Sequence, residues 1–321
     1  MYDYSMEKLV YQMFILGCDN LEIPLKKGLG GVIFFTKDIN SEDELIKKIK
    51  EIKSQALIQP FISIDQEGGR VERTEKIREK RLSARFAYEK GEDYLKQQSE
   101  EISKELKVWG FNLNFAPCID INTNPLNPII GERAFADNVE DVIEGYKIFT
   151  NASRKFGVVP CAKHYPGHGD ADKDSHLTLP RIDLTLEEMQ KTHLKPFEYA
   201  VNNDIEMIMV AHLHCTCFDK ETLPTSLSKN AIGYLRNNLN YNSVLISDDM
   251  VMKGVQDYGS LNAVIKGIEA GLDMFIFRNS DDETLEMIDE LVKIVEKDED
   301  LKSKVVASNN RIEFLKKKYG I

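Results

Sequence analysis

The stretch "EDVIEGYKIFTNASRKFGVVPCAKH" (140–164) contains one unit of the predicted fold. Its first part, residues 140–157, is helix-like and closes with Gly157, a residue at which helices commonly stop. Its second part, residues 158–164, is a short apolar run typical of a buried strand. Alternation of such helices and strands implies a parallel sheet.

The same alternation runs along the whole chain. Other strand-like runs lie at 30–36, 60–65, 111–117, 206–212, 243–249 and 272–278. Other helix-like stretches lie at 41–56, 95–110, 186–203 and 260–271. An eighth strand is expected within 12–18, although that run equally suits the end of the first helix. Eight units in 321 residues predict an α/β fold, a (β/α)8 TIM barrel forming a single domain over residues 1–321. An open doubly wound sheet is the alternative.

Composition narrows the class of protein. The chain has a formal net charge of −11, and its 42% hydrophobic residues are enough apolar material for one large core or two ordinary ones. The acidic balance argues against nucleic acid or an anionic membrane as a partner, since phosphate binding needs clustered Lys and Arg. The sequence shows neither a signal-peptide pattern nor 18 consecutive apolar residues. We therefore expect a cytoplasmic monomer whose partner is a small molecule.

The number and spacing of the cysteines agree with the expected cytoplasmic location. The five cysteines are an odd number and mostly far apart, so we expect reduced thiols rather than a disulfide framework. They are Cys18, Cys118, Cys161, Cys215 and Cys217.

Polar residues cluster at the carboxyl ends of the predicted strands, where the chemistry of such barrels collects. They include Asp65, Lys163, His164, His212, His214, Asp248, Asp249, Arg278 and Asn279. In "ISDDM" (246–250) a carboxylate can attack an electrophilic carbon or stabilise a cation. Adjacent strand residues point to opposite faces, so we expect one of the two aspartates to face a substrate. The alternative is that one of them caps the following helix.

The segment "DADKDSH" (170–176) places Asp174 two residues before His176. A carboxylate beside an imidazole fixes its tautomer and stabilises its protonated form, which suits general acid/base work. A solvated loop is the alternative. A metal site is not expected, because the histidines around this segment lack the i, i+4 spacing of a zinc protease. In "HLHCTC" (212–217) an extended chain would put the two histidines and the two cysteines on opposite sides. We expect no metal and no cofactor.

The stretch "SIDQEGGRVER" (63–73) follows another predicted strand, and "GERAF" (131–135) supplies a further arginine. An Asp and an Arg at a barrel mouth suit paired hydrogen bonds to sugar hydroxyls or to an anion. An ion pair that holds the loop is the alternative.

Four motifs together resemble glycoside hydrolase family 3: "KHYPGHGDADKDSH" (163–176), "DQEGGRVER" (65–73), "GERAF" and "ISDDM". More narrowly, the chain resembles the single-domain bacterial β-N-acetylglucosaminidases of that family, over essentially its whole length. The resemblance implies that Asp248 is the nucleophile and that His176, paired with Asp174, is the general acid/base. It also implies that the N-acetylglucosamine ring is held by Asp65, Arg73, Arg133, Lys163 and His164. Asp249 and Arg70 become supporting residues.

The activity implied is that of a retaining exo-β-N-acetylglucosaminidase (β-N-acetylhexosaminidase). Its substrate would be a small carbohydrate ending in β-linked N-acetylglucosamine, expected to be a cytosolic muropeptide in peptidoglycan recycling. An imidazole repels an incoming anion less than a carboxylate does, so an N-acetylglucosamine phosphorylase is one alternative. A chitooligosaccharide hydrolase and a non-catalytic sugar-binding barrel are the others.

Overall fold

A computed structural model describes residues 5–171 and 179–321. Within them, eight parallel strands form a closed barrel in which each strand pairs with the next along the chain and the last pairs with the first. The strands are β1 Phe14–Leu16, β2 Gly31–Phe34, β3 Phe61–Ile64, β4 Leu113–Asn114, β5 Val159–Tyr165, β6 Met207–Val210, β7 Val244–Asp249 and β8 Met274–Phe277. The predicted (β/α)8 barrel is confirmed, and the run at 12–18 contains β1.

Helices surround the barrel. They are α1 Met6–Tyr11, α2 Glu22–Lys26, α3 Glu42–Gln55, α4 Ala84–Glu89, α5 Glu92–Trp109, α6 Val139–Lys155, α7 Leu186–Lys191, α8 Leu194–Asn202, α9 Lys229–Gly233, α10 Lys253–Gln256, α11 Ser260–Ala270, α12 Asp282–Val295 and α13 Glu299–Tyr319. Short helical turns lie at Thr36–Asp38, Gly131–Arg133, Thr225–Leu227 and Tyr234–Asn238. None of the helices within the described ranges combines the length and apolar character needed to cross a bilayer.

The barrel strands form because their side chains are apolar on both faces. All four residues of β2, β3, β6 and β8 are buried, as expected for parallel strands with packed barrel interior on one face and helices on the other. Caps set several helix starts: the side chains of Ser41 and Asn138 accept backbone N–H groups of α3 and α6. The core therefore lies between the strands and the helix ring, which leaves the strand ends free to carry polar groups.

One predicted helix is wrong in extent. The stretch 186–203 forms two helices, α7 and α8, separated at Thr192 and His193. Pro196 explains the break, because it has no N–H for the carbonyl of Thr192 and its ring clashes with that carbonyl in a continuous helix. His193 is buried at the junction.

A buried lysine lies at the amino-terminal ends of the barrel strands. Lys316 of α13 donates from Nζ to Gln12 Oε1 (2.8 Å) and to the carbonyl of Gln59 (2.9 Å). Its side chain forms no salt bridge within the described part of the chain, and burial lowers its pKa to about 7. The folded protein therefore favours the neutral amine.

This lysine predicts a pH-dependent stability. Between pH 7 and pH 10.5 the unfolded chain binds a proton at Lys316 that the folded chain does not, so the free energy of unfolding rises with pH over this interval. Lys316→Met removes the titration. From pH 7 to pH 9, urea unfolding should show the wild type gaining about 2 kcal/mol more than the variant. Equal changes in both proteins would contradict the assignment.

Candidate functional site

A cavity of about 530 Å³ opens at the carboxyl ends of the barrel strands. Of the eight residues to which the family resemblance gives a catalytic or sugar-binding role, six line it: Asp65, Arg73, Arg133, Lys163, His164 and Asp248. Their roles remain predictions, but the fold brings them to one place because parallel strands all end at the same edge. The other two, Asp174 and His176, lie outside the described residues.

Two cations that line the cavity, Lys163 and Arg133, are paired with the carboxylates of Asp65 and Glu67. Lys163 Nζ lies 2.7 Å from Asp65 Oδ1 and 2.6 Å from Glu67 Oε1. Arg133 donates to both oxygens of Glu67, each at 2.9 Å. Burial alone would raise the pKa of Glu67, but Arg133 and Lys163 outweigh it and hold that pKa well below its usual range. Glu67 is therefore a permanent anion that keeps both cations in position.

The hydrogen bonds of His164 define its tautomer. Its Nε2 lies 3.2 Å from Arg133 Nη2, and its Nδ1 lies 2.7 Å from Asp120 Oδ2. A guanidinium can only donate, so Nε2 accepts and Nδ1 carries the proton given to Asp120. Asp120 also accepts the backbone N–H of His168 at 2.6 Å. Burial raises the pKa of Asp120, but His164 and His168 outweigh it and lower that pKa. Asp120 is therefore an anion, and it fixes the orientation of the His164 ring.

The two aspartates at the end of β7 differ in their surroundings. Asp248 Oδ1 accepts the N–H of Asp249 at 2.7 Å. Its burial raises the pKa, but His164, His212 and this N–H outweigh burial and lower the pKa of Asp248. Burial raises the pKa of Asp249 to about 6 even though Arg278 Nε lies 3.1 Å from its Oδ2. Asp248 is therefore the more acidic of the two carboxyl groups.

The expectation that one of these aspartates alone faces the cavity is wrong, since both line it. The physical reason is a register irregularity between β7 and β8. Ile246 pairs with Met274 but Asp249 pairs with Ile276, so β7 has one residue more than its neighbour over this interval. An extra residue breaks the alternation of side chains and redirects them.

The loop after β3 supplies the side wall. Gly68 and Gly69 have φ of +97° and +62°, and a Cβ on Gly69 would lie 2.5 Å from Ser83 Cβ, so the turn needs glycine. Beyond the turn, Arg73 lies over the Phe35 ring and its Nη2 is 3.9 Å from Asp65 Oδ2. The Nε of Arg73 is buried and has no hydrogen-bond partner among the described residues. Because the Arg73 side chain also lines the cavity, the exposed part of its guanidinium can donate to a bound molecule.

Arg70 holds the loop through backbone carbonyls rather than through the ion pair that was the alternative interpretation of this loop. It donates to the carbonyls of Pro128 (2.8 Å) and Ile130 (3.3 Å) and to that of Ile129 between them. Those contacts tie the loop after β3 to the loop after β4. Arg70 thus shapes the cavity rim by holding two loops together.

One group within the described ranges has metal-ligand chemistry. Ligand atoms of Cys118, Asp120 and His164 lie within 4.8 Å of one another. However, Asp120 Oδ2 already accepts from the Cys118 thiol (3.2 Å) and from His164. Hydrogen bonding accounts for the cluster without an ion. In the other candidate segment each histidine has another partner at Nδ1: His212 Nδ1 lies 2.7 Å from Ser226 Oγ, and His214 Nδ1 lies 3.3 Å from the Leu223 carbonyl.

Sequence reasoning missed Glu67 and Asp120. Glu67 lies in the quoted motif "DQEGGRVER", in which Asp65 and Arg73 were the residues predicted to hold the sugar. A signal existed for Asp120, which is a single carboxylate within the apolar run "CIDI" (118–121). A charge there must be paired if it is buried.

Comparisons with known proteins agree with this geometry. Residues 9–315 match the profile described as "Glycosyl hydrolase family 3 N terminal domain". The chain is 31% identical over 293 residues to a beta-hexosaminidase of Methylococcus capsulatus, covering 86% of this chain and 83% of that protein. It is 30% identical over 276 residues to beta-hexosaminidase A of Pseudoalteromonas piscicida, covering 79% of this chain and 46% of that protein. The chain thus spans about half the length of the second relative.

Solved structures show the same barrel. A family 3 beta-N-acetylglucosaminidase from a Paenibacillus species superposes with a TM-score of 0.91 at 28% identity, over 98% of this chain and 63% of that one. A beta-N-acetylhexosaminidase from Beutenbergia cavernae has a TM-score of 0.90 and covers 99% of both chains. At 22% identity, the latter supports the fold alone.

Proposed function

Because the chain belongs to glycosyl hydrolase family 3, we propose that it is a retaining exo-β-N-acetylglucosaminidase that removes terminal β-linked N-acetylglucosamine. The names of the relatives, beta-hexosaminidase and beta-N-acetylglucosaminidase, support this choice of sugar. The observation that carries the proposal is an ionised carboxylate, Asp248, in a cavity that also holds an ordered set of hydrogen-bonding cations.

In this mechanism Asp248 is the nucleophile. One of its carboxylate oxygens attacks the anomeric carbon while His176, protonated, gives its proton to the leaving oxygen, and a covalent glycosyl-enzyme forms. Neutral His176 then takes a proton from water, and the resulting attack on the anomeric carbon frees Asp248. Two inversions at the same carbon retain the configuration. The lowered pKa of Asp248 supports its part, because a nucleophile must be ionised at neutral pH.

The remaining cavity residues would orient the sugar ring. Lys163 and Arg73 are donors, Asp65 is an acceptor, and His164 is held by Arg133 and Asp120. Because these groups are already held by one another, little reorganisation is needed when hydroxyls replace water. Residues 1–321 would act as one catalytic barrel domain. The muropeptide substrate rests on the family resemblance alone, and the cytoplasmic location stays a proposal.

The test of the proposal is hydrolysis of an aryl N-acetyl-β-glucosaminide and of its β-glucoside counterpart, each with and without phosphate. We expect turnover of the first substrate, release of free N-acetylglucosamine, and no rate increase with phosphate. Formation of N-acetylglucosamine 1-phosphate would establish a phosphorylase instead. Binding of the sugar without turnover of either substrate would favour a non-catalytic barrel.

Removing the negative charge of Glu67 should lower both the stability and the activity of the protein. Glu67→Gln keeps the shape of the side chain but turns an N–H donor towards Arg133 or Lys163, both of which are donors. We expect a loss of roughly 3 kcal/mol in the free energy of unfolding. We also expect kcat/KM to fall roughly 10²-fold, because Lys163 and Arg133 shift.

A matched control lies at the other end of the barrel. Glu206, buried just before β6, also pairs with one arginine and one lysine, Arg154 (3.0 Å) and Lys318 (2.8 Å). Glu206→Gln should destabilise the protein comparably and leave kcat/KM unchanged. Equal kinetic effects of the two variants would show that Glu67 does not position the sugar site.

A further inference from the structure

Two cysteines beside the candidate active site touch each other. The Sγ atoms of Cys215 and Cys217 are 3.3 Å apart. The chain is not extended throughout this segment, because the short strand His214–Cys215 ends at once and a turn follows. The N–H of Phe218 donates to the Cys215 carbonyl at 3.1 Å, which closes the turn and brings Cys217 back over Cys215. The barrel has thus placed two thiols in van der Waals contact, where a sulfur–sulfur bond requires a movement of little more than about 1 Å.

The two thiols differ in the way that thiol–disulfide exchange requires. Cys217 is half-buried, whereas Cys215 is 2% exposed. A hydrogen bond between them lowers the pKa of Cys217 and raises that of Cys215. An accessible sulfur with more thiolate character is the one that attacks, and a neighbouring buried thiol can then resolve the product.

The other three cysteines provide an internal contrast. Burial raises the pKa of Cys18, Cys118 and Cys161, and each of them is buried. Their thiols contact oxygen atoms of Ile33, Asp120 and Ala162. A reagent acting on the folded protein should therefore distinguish the pair from these three.

The pair is joined to the candidate active site in two ways. Thr216, between the cysteines, donates its N–H to the Ile182 carbonyl (3.1 Å) and its hydroxyl to Asp183 (3.0 Å). Residues 181–183 follow closely in sequence after the segment that carries Asp174 and His176. In addition, the Phe218 ring packs 6.4 Å from the ring of Tyr165, the residue after His164 in β5.

We propose that Cys215 and Cys217 form a thiol–disulfide exchange site that reacts with small disulfides, such as oxidised glutathione, and closes to an intramolecular disulfide that slows the enzyme. The Cys217 thiolate attacks one sulfur of the small disulfide, forms a mixed disulfide and releases one thiolate. Cys215 then loses its proton to solvent and attacks Cys217 Sγ, and the second small thiolate leaves. Two protein thiols are oxidised, and one small disulfide is reduced to two thiols.

The effect on turnover rests on the proposed function, whereas the bond itself does not. Forming the bond tightens the turn around Thr216 and so displaces its contacts with Ile182 and Asp183. Displacing residues that adjoin the proposed acid/base in sequence changes kcat more than the occupancy of a preformed sugar site.

The experiment treats the native full-length chain with oxidised glutathione and then measures free thiols and peptide masses. We expect two of the five thiols to disappear. The peptide with Cys215 and Cys217 should lose two hydrogen atoms, and dithiothreitol should reverse the change. Cys215→Ser should stop at a glutathione adduct on Cys217, and Cys18→Ser should still form the bond. A glutathione adduct that persists on the wild type would contradict the proposed site. So would thiols that do not react until the protein is unfolded.

Turnover of an aryl N-acetyl-β-glucosaminide is measured on the same samples. The oxidised wild type should lose at least about half of its kcat, with recovery in dithiothreitol, while treated Cys217→Ser should keep its kcat. Full conversion to the disulfide with unchanged kcat would overturn the coupling but not the site. Peptide mass alone shows whether the disulfide forms. Absence of the disulfide is therefore distinguishable from absence of the proposed activity.

Discussion

Asp248→Asn is expected to lower kcat at least about 10⁴-fold while sugar binding survives, because the amide cannot attack the anomeric carbon. The substitution preserves shape, and the amide oxygen can still accept the N–H that Asp249 donates to Oδ1. The neighbouring cations Lys163 and Arg133 keep Glu67 as their partner. The folded structure and the sugar site should therefore survive. The measurements are steady-state turnover of an aryl N-acetyl-β-glucosaminide and calorimetric binding of N-acetylglucosamine.

The adjacent carboxylate is the matched control. Asp249 is also in the cavity, but it is paired with Arg278 and its pKa is raised to about 6. Asp249→Asn should cost roughly 10- to 100-fold in kcat, since that carboxylate acts by positioning. An Asp248→Asn variant with kcat within about tenfold of the wild type would rule out the nucleophile role.

A second design tests the covalent step directly. Asp248→Gly should leave room for azide, which enters from the side that the carboxylate occupied. The product expected is then the glycosyl azide of opposite anomeric configuration, formed in a single inversion. Azide that leaves the variant inactive, with the fold intact by circular dichroism, would count against attack from this position.

The loss of activity in His176→Ala should be larger for poorer leaving groups. A sugar or alkyl leaving group needs a proton as its bond breaks, so we expect roughly 10³- to 10⁴-fold loss of kcat/KM for N-acetylglucosamine disaccharides. A nitrophenolate leaves without that proton, so its kcat/KM should fall only about tenfold. Rates across a series of aryl leaving groups measure this sensitivity.

Hydrolysis of the glycosyl-enzyme, the second step of the reaction, tests the role of His176 independently. Without a general base, water attacks the glycosyl-enzyme slowly, so activated substrates should show a burst followed by a slow steady state. Azide needs no deprotonation and should restore the steady state. Asp174→Asn should show the same pattern in weaker form, because that residue would act through His176. Equal losses for good and poor leaving groups would remove the acid/base role from His176.

Much of the architecture could be predicted because it depends on local pattern. Short apolar runs identified the strands, and glycines marked several helix ends, including Gly110 and Gly271 after α5 and α11. The polar residues at strand ends could be grouped because all barrel strands run in one direction. The prediction of one continuous helix over 186–203 was wrong, because apolar spacing continues across Pro196 whereas the backbone hydrogen bond to the carbonyl of Thr192 cannot.

The sequence by itself determined the repeating βα order, the parallel sheet and the candidates Asp65, Lys163, His164 and Asp248, because periodicity and strand direction are local properties. Only the tertiary structure decided their partners. Lys163 and Asp65 are 98 positions apart in the chain yet 2.7 Å apart in space, and Asp120 meets His164 across 44 positions. Such pairings depend on how the barrel closes and on the extra residue in β7. They set the acidity of each carboxyl group, because in a buried site the balance between desolvation and neighbouring charges outweighs the intrinsic character of the group.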